Sequence, residues 1–326
     1  MSRKLSVVLL CGLAVLLGAA SGRAADGGQA PQAAYAARGE RTCLGCHNMP
    51  PANIMLQTPH AVKSDARTPF AQHQCESCHG ASPDHVAVSS NPVAVVYKGP
   101  LKSPVAQRNR MCLSCHESGL RTHWTGSQHE SRDVACTDCH NIHATDQKVL
   151  SKATQAEVCY TCHKEQRAQA RRISTHPMTA TSLASTAKMA CSDCHNPHGS
   201  AGPTMLVKTS VNETCYICHA EKRGPFLWEH APVTDNCTNC HSPHGSSNAP
   251  LLKTRVPFLC QECHSGDHGA QINSGANLAG GTVTTINGTQ QSGAAGPRAQ
   301  LGGRACLNCH VLVHGSNHPA GAKFQR

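Results

Sequence analysis

Residues 215–244 read CYICHAEKRGPFLWEHAPVTDNCTNCHSPH, and this stretch decides the fold. It contains two C-x-x-C-H motifs, Cys215–His219 and Cys237–His241, and two further histidines, His230 in the link between them and His244 after the second. C-x-x-C-H is the attachment signature of c-type haem, in which two thiols bond to the haem vinyl groups and the adjacent histidine reaches the iron. His244 follows His241 by three residues. Because the porphyrin plane separates it from the opposite face of the same iron, we expect His244 to ligate a different haem.

The same motif occurs ten times and uses twenty of the 21 cysteines, leaving out Cys11. With 23 histidines in 326 residues, a histidine would follow a given C-x-x-C by chance about 7% of the time, yet one follows every pair. Iron–sulfur ligation needs longer cysteine series, and zinc ribbons or disulfide frameworks do not need that histidine. With a poly-zinc protein as the main alternative, the sequence predicts ten covalently bound haem c groups. We number their sites I to X in chain order.

The motifs supply two sets of predicted haem-binding residues. The predicted thioether cysteines are Cys43, Cys46, Cys75, Cys78, Cys112, Cys115, Cys136, Cys139, Cys159, Cys162, Cys191, Cys194, Cys215, Cys218, Cys237, Cys240, Cys260, Cys263, Cys306 and Cys309. The predicted proximal iron ligands are His47, His79, His116, His140, His163, His195, His219, His241, His264 and His310.

Thirteen histidines lie outside the motifs, and ten irons need at most ten second ligands. In chain order the motifs pair into five units, numbered 1 to 5, each with a histidine in the link between its two motifs and one soon after the second. We predict that these recurring histidines are the distal ligands: His60, His85, His129, His143, His176, His198, His230, His244, His268 and His314. His73, His123 and His318 are left over, with His318 as the rival of His314. The methionines show no such recurrence, so bis-histidine ligation is favoured, but spacing does not show which distal histidine serves which haem.

Residues 1–24 are predicted to be a secretory signal. Arg3 and Lys4 form its charged start, Leu5–Ala20 its apolar run, and Gly22–Ala24 its cleavage site. The apolar run is shorter than a membrane span requires. Export also fits the cofactor, because bacteria attach c-type haem after translocation. We therefore expect a periplasmic mature protein that begins near Ala25.

The charge balance of the mature chain does not indicate nucleic-acid binding. Without Arg3, Lys4 and Arg23 the chain has 26 basic and 19 acidic residues, a balance of +7. No pattern of interleaved basic and aromatic residues is present. We interpret the basic surplus as partners for the propionates of ten haems.

The fold class predicted is a multihaem cytochrome c: mostly short α-helices and irregular loops wrapped around an elongated haem chain, with little β structure. Aromatic residues make up only 3% of the chain, too few for an ordinary protein core, so the haems themselves are expected to be the core. Pro, Gly, Ser and Thr punctuate most links. Short helices are expected over Cys43–Met49, Glu157–Ala170 and Glu213–Arg223. The 266–304 segment, rich in Gly, Ala, Asn, Gln and Thr, is expected to be a surface loop or a docking surface beside the last haem.

The motif order resembles that of the MtrA/DmsE-type decahaem cytochromes. The resemblance rests on the ten motifs, on W-E-H-A-P at 228–232 followed by C-x-x-C-H-S-P-H-G-S at 237–246, on residues 272–281, and on C-L-N-C-H-V-L-V-H-G-S-N-H-P at 306–319. It implies that residues 25–326 form one decahaem electron-wire domain, held in an outer-membrane β-barrel and bis-histidine ligated throughout. It also implies two pentahaem halves, and a boundary between them would fall near residues 164–190.

The resemblance implies a periplasmic carrier that conducts electrons across the outer membrane, in extracellular respiration or in iron(II) oxidation. The implied partners are the porin-like barrel, an outer-surface multihaem cytochrome or another terminal redox partner, and a periplasmic or inner-membrane cytochrome. Conduction rather than catalysis is also favoured because an iron with two protein ligands has no open position for substrate. The alternatives are a soluble periplasmic shuttle that feeds a separate reductase and, less favoured, a multihaem oxidoreductase with one open haem.

Overall fold

The computed structural model describes residues 34–178, 189–264, 282–284, 290–292, 306–319 and 321–324. The predicted signal peptide, His268 and most of the 266–304 segment lie outside these residues. The α-helices of the described part are all short, with the longest spanning nine residues. They are α1 Glu40–Leu44, α2 Glu76–His79, α3 Pro83–Ala87, α4 Val105–Leu113, α5 Cys136–Cys139, α6 Lys152–Cys159, α7 Lys164–Gln169, α8 Val211–Cys215, α9 Ala231–Asp235 and α10 Phe258–Gln261.

Single turns of 3₁₀ helix join these segments, as expected where Pro and Gly prevent longer helices. They are Ala52–Gln57, Pro59–Ala61, Pro69–Ala71, Gly119–Arg121, Glu130–Arg132, Lys148–Leu150, Cys191–Asp193, Pro203–Met205, Ala220–Lys222, Cys237–Asn239, Cys306–Asn308 and Gly321–Lys323. The described β structure is one antiparallel ribbon of β1 Thr282–Thr284 and β2 Gln290–Ser292, with Val283 opposite Gln291, plus isolated bridges. The predicted fold class is confirmed.

The three helices expected from sequence have the wrong bounds. The 157–170 segment is divided into α6 and α7, because His163 has φ −87° and ψ 67° and so interrupts the helix. The helix expected over 43–49 is α1, which begins at Glu40 and ends inside the motif. The one expected over 213–223 is α8 followed by a separate 3₁₀ turn. At these motifs the helical residues precede the first cysteine and end near it, because the proximal histidine leaves the helical conformation.

Little of the described part is a protein core. Ten apolar side chains are buried, among them Phe70, Val95 and Trp124, and no large side chain is fully enclosed. Fourteen large apolar side chains are exposed, including Leu120 at 71%, Ile173 at 90% and Leu227 at 70%. This distribution is the one expected if apolar residues cover haem faces instead of one another. Among the described helices, none has the length and apolar character to cross a membrane.

Candidate functional site

Each of the ten motifs folds into the same helical turn. In every one, the backbone N–H of the histidine donates to the carbonyl of the first cysteine, over 2.8–3.1 Å. Residues at i, i+3 and i+4 share one side of such a turn. The two thiols and the imidazole of each motif are therefore presented together, which is the arrangement that attachment and proximal ligation of one haem require.

The thiols place the ten sites in one unbroken series. Within each unit the side chains of the first cysteines of the two motifs lie beside each other: Cys43 with Cys75, Cys112 with Cys136, Cys159 with Cys191, Cys215 with Cys237, and Cys260 with Cys306. Between units the second cysteines lie close enough for their charges to interact: Cys78 with Cys115, Cys139 with Cys162, Cys194 with Cys218, and Cys240 with Cys263. Each motif thus adjoins the motifs before and after it in sequence.

Burial affects the ionisation of these cysteines. Burial, and after it the Cys43 thiol beside it, together raise the pKa of Cys75 to about 12. Burial and the neighbouring Cys237 likewise raise the pKa of Cys215 to about 12. Before haem is attached, these side chains are therefore neutral thiols at neutral pH. In the described part of the chain, no three or more His, Cys, Asp or Glu side chains are grouped as a zinc site would need.

Nine proximal histidines face a predicted distal histidine at a constant spacing. Their ring centroids are 5.9–6.4 Å apart. Two imidazoles that ligate one metal from opposite sides, each at about 2.0 Å, would have centroids about 6 Å apart. The pairs are His47–His85, His79–His143, His116–His60, His140–His198, His163–His129, His195–His244, His219–His176, His241–His314 and His264–His230.

The pairs follow a rule that spacing alone did not show. The first motif of units 2 to 5 is paired with the link histidine of the preceding unit, as in His219–His176. The second motif of units 1 to 4 is paired with the trailing histidine of the following unit, as in His195–His244. Every boundary between units is therefore crossed twice. Site I is closed within its own unit by His47–His85, and the same rule at the other end would pair His310 with His268, which lies outside the described residues.

Backbone carbonyls orient the paired rings. In the second motif of most units the proximal Nδ1 donates to a carbonyl, as from His195 to Thr204 O at 3.0 Å and from His241 to Pro250 O at 3.0 Å. In sites V, VII and IX it is the distal ring that does so: His129 to Pro197 O at 2.7 Å, His176 to Pro243 O at 2.8 Å, and His230 to Val313 O at 3.0 Å. Such outer hydrogen bonds fix the tautomer and leave Nε2 for a metal.

Those three acceptor carbonyls each precede a trailing histidine, so the hydrogen bond joins the ligands of two sites.

The trailing loops also approach the preceding unit closely. Gly245 has φ +139°, and a Cβ at this position would overlap the carbonyl oxygen of Gln169. Ser174 and Ser246 exchange backbone hydrogen bonds of 3.0 and 2.8 Å beside it. Glycine is therefore required for the loop that carries His244 to reach the earlier link.

Buried donors without a protein acceptor show that the residues fit haem. Arg121 Nε, Trp124 Nε1 and His198 Nδ1 are enclosed and have no hydrogen-bond partner. The Trp124 ring lies 6.4 Å from that of His198, and the Arg121 charge is one cause of a lowered His198 pKa, after burial and the His140 charge. Buried donors of this kind need an anionic or polar acceptor, which a haem propionate supplies. Together with the ring spacing and the thiols, they match the predicted cofactor.

The three leftover histidines are not in these ring pairs. The His73 ring stacks on Tyr35 with centroids 3.6 Å apart, and His123 is exposed. The His318 backbone N–H donates to Ser316 Oγ at 2.9 Å, while His314 rather than its rival faces His241.

Two buried asparagines were not identified from the sequence. Asn109 Oδ1 accepts from Cys136 N at 2.9 Å, and Asn212 Oδ1 accepts from Cys237 N at 2.7 Å. Each precedes the first cysteine of its unit by three residues and fixes the start of the second motif. That repeated N-x-x-C pattern was the available signal.

Comparisons with known proteins agree with this geometry. A family model described as "Doubled CXXCH motif" matches residues 184–224 and 230–269, and one described as "Cytochrome c-type protein NrfB-like" matches residues 75–154. Multiheme cytochrome MtrA of Shewanella baltica (strain OS185) is 46% identical over 294 residues, which cover 90% of this chain and 83% of that protein. Repeated haem c motifs, a fold of short helices and this degree of identity lead to one conclusion: the chain belongs to the MtrA family of multihaem cytochromes.

Proposed function

We propose that this protein is an electron carrier that conducts electrons across the outer membrane through ten haems in a single series. The observation that carries the proposal is the unbroken order of the ten motifs, with paired histidines crossing the described unit boundaries. When bound, each haem supplies a one-electron couple. The adjoining thiols of consecutive motifs hold the attachment points next to one another, so that electrons pass from site to site.

The nine ring pairs give sites I to IX two protein ligands each, and we propose His268 as the second ligand of site X. A site closed in this way has no position for nitrite, peroxide or oxygen, and we therefore propose that the protein is not an enzyme. Its residues hold the irons, orient the rings through Nδ1 hydrogen bonds and set the reduction potentials. The interlocked units also keep the series rigid, because each link and each trailing loop contributes a ligand to a neighbouring unit.

The outer-membrane placement follows from the dimensions of the bilayer and the polarity of the chain. A bilayer with its headgroups is roughly 40–45 Å thick, and a series of ten macrocycles is long enough to bridge it. A chain with this many polar backbone groups outside regular structure cannot face lipid. We therefore propose a β-barrel partner as a sheath and a periplasmic location for the free protein. Sites I and X would exchange electrons at opposite ends, site I with a periplasmic or inner-membrane cytochrome and site X with an outer-surface multihaem cytochrome.

The test uses liposomes that contain a reduced dye. The mature cytochrome is added with its barrel, and an external electron acceptor is then supplied. Oxidation of the trapped dye is expected only when both proteins are present, with the barrel alone and the cytochrome alone as controls. A cytochrome that never associates with a barrel and instead reduces a periplasmic enzyme would replace this proposal with the shuttle.

A further inference from the structure

Sites III, V and VII occupy equivalent positions in the repeat. Each is the first motif of its unit, and each proximal histidine is paired with the link histidine of the preceding unit. The proximal rings are alike in exposure, since His116, His163 and His219 are all exposed. Differences among the three haems in reduction potential must therefore come from the charges and hydrogen bonds around these sites, and the three sites serve as controls for one another.

An ion pair found at sites V and VII is missing at site III. Glu157 and Glu213 each stand two residues before the first cysteine, and they bind Arg167 at 3.4 Å and Arg223 at 2.8 Å. At site III that position is occupied by Arg110, so Arg121 has no carboxylate at the equivalent position.

The resulting difference in charge is one unit. From two residues before the first cysteine to five after the histidine, site III has a net charge of +1, and sites V and VII have none. The charged residues counted are Arg110, Glu117 and Arg121 at site III, Glu157, Lys164, Glu165 and Arg167 at site V, and Glu213, Glu221, Lys222 and Arg223 at site VII.

The Arg121 charge lies in the segment that follows the site III motif. Arg121 ends the 3₁₀ turn Gly119–Arg121, which begins three residues after His116. At site VII a carboxylate lies beside the proximal ring, since Glu221 Oε1 is 3.9 Å from His219 Nδ1, and Lys222 Nζ lies 3.9 Å from the same oxygen. A positive charge beside an iron favours the reduced state, which has one positive charge fewer.

The hydrogen bonds of the distal rings also favour a higher reduction potential at site III than at sites V and VII. The distal rings of sites V and VII, His129 and His176, donate Nδ1–H to backbone carbonyls. His60, the ring opposite His116, has no protein acceptor among the described residues. A carbonyl acceptor makes an imidazole a stronger electron donor and so stabilises the oxidised iron. Site III lacks this stabilisation of its oxidised state.

We propose that Arg110, Arg121 and the unanchored His60 give site III the highest reduction potential of the three equivalent sites, so that an electron entering the interior of the series rests there. This inference rests on the bis-histidine haem series proposed above and not on the barrel or the membrane. It makes unit 2 an electron reservoir within the wire. Sites V and VII, with balanced charge and anchored rings, pass the electron on.

The experiment is a potentiometric titration of the purified decahaem protein followed by electron paramagnetic resonance. The rings of site III are inclined at 78° and those of site VII at 45°. Steeply inclined ligand planes leave the iron orbitals nearly degenerate and give a strongly anisotropic low-spin signal. Sites II and V, at 77° and 64°, belong to the same class. Because sites II and V give signals of the same class as site III, the variants described next identify the site III signal, and we expect that signal to disappear at a higher potential than those of sites V and VII.

The decisive variant is Arg110→Glu, which places at an exposed position the carboxylate that units 3 and 4 have there. It should lower the reduction potential of the haem that gives the first-reduced signal. At a fixed applied potential, the ratio of reduced to oxidised iron at that haem should then fall about tenfold, which is equivalent to about 59 mV for one electron. High salt should diminish the shift. The matched change at site VII, Glu213→Arg, should raise the reduction potential of a different signal. Arg110→Gln should shift the potential in the same direction as Arg110→Glu, but by less.

An unchanged first-reduced signal in Arg110→Glu and in Arg121→Gln would overturn the inference, provided that ten low-spin haems are retained. If Arg110→Glu loses a haem, Arg110→Gln decides the matter with a single change of charge. Haem content and spin state report separately on the ligation itself. An unchanged potential with ten low-spin haems would contradict only the high potential of site III, whereas a loss of low-spin haem in the unmodified protein would contradict the bis-histidine ligation.

Discussion

A single histidine in this protein connects two units of the chain. The His244 ring lies 6.0 Å from that of His195 although it follows the Cys237–His241 motif directly. We expect His244→Ala to convert site VI to a high-spin haem, about one tenth of the total iron, while all ten haems remain attached. The measurement is electron paramagnetic resonance together with mass spectrometry. His123→Ala, which removes an exposed histidine outside the ring pairs, is the control and should leave every haem low-spin.

Two other results for His244→Ala would contradict the pairing. Retention of ten low-spin haems would reduce His244 to a structural residue. Loss of the haem bound at Cys237 and Cys240 would assign His244 a role in the folding of its own motif.

At the scale of the structural elements, the trailing loops dock on the preceding links through glycine. In Gly245→Ala the new Cβ would overlap the Gln169 carbonyl oxygen at a φ of +139°, so the loop must move. We expect a loss of roughly 1–3 kcal/mol in the free energy of unfolding and a weakened ligand at site VI. Thermal unfolding and the low-spin spectrum measure the two effects.

Gly126→Ala is the matched control for that substitution. Gly126 has φ +83°, but a Cβ there has open space around it, so this variant has the backbone cost without the overlap. Its site VI should remain low-spin. If Gly245→Ala behaves in the same way as Gly126→Ala, the close approach of the loop does not position His244.

Sequence patterns predicted the fold class because regularly repeated motifs determine it. Cysteine pairs and recurring histidines are read directly from spacing, and they predict the attachment residues and the set of candidate second ligands. The helix bounds at Glu157–Ala170 were wrong because the proximal His163 leaves the helical conformation. The partner of each ring could not be predicted, since His129 binds Pro197 O across 68 positions. Such contacts depend on how whole units interlock.

At the scale of the whole molecule, the chain is a series of five units in which the described boundaries are secured by exchanged histidines. Site I is closed by a histidine of its own unit, and the neighbouring sites depend on adjacent units. Ligation is therefore a cooperative property of the series, and its two ends are the places where electrons are expected to enter and leave. The division into two pentahaem halves near residues 164–190 stays a prediction. The His140–His198 pair joins segments on the two sides of that range, while His129–His163 lies before it and His195–His244 after it.

The central claim is that ten haems, each with two histidine ligands, form a series without an open site. The most direct measurement is the mass of the intact mature chain combined with the spin state of all its iron in the oxidised protein. We predict a mass equal to the chain plus ten haems and no substantial high-spin ferric signal. A stoichiometric high-spin haem, or fewer than ten haems on the intact chain, would contradict the account and return the protein to the class of multihaem oxidoreductases.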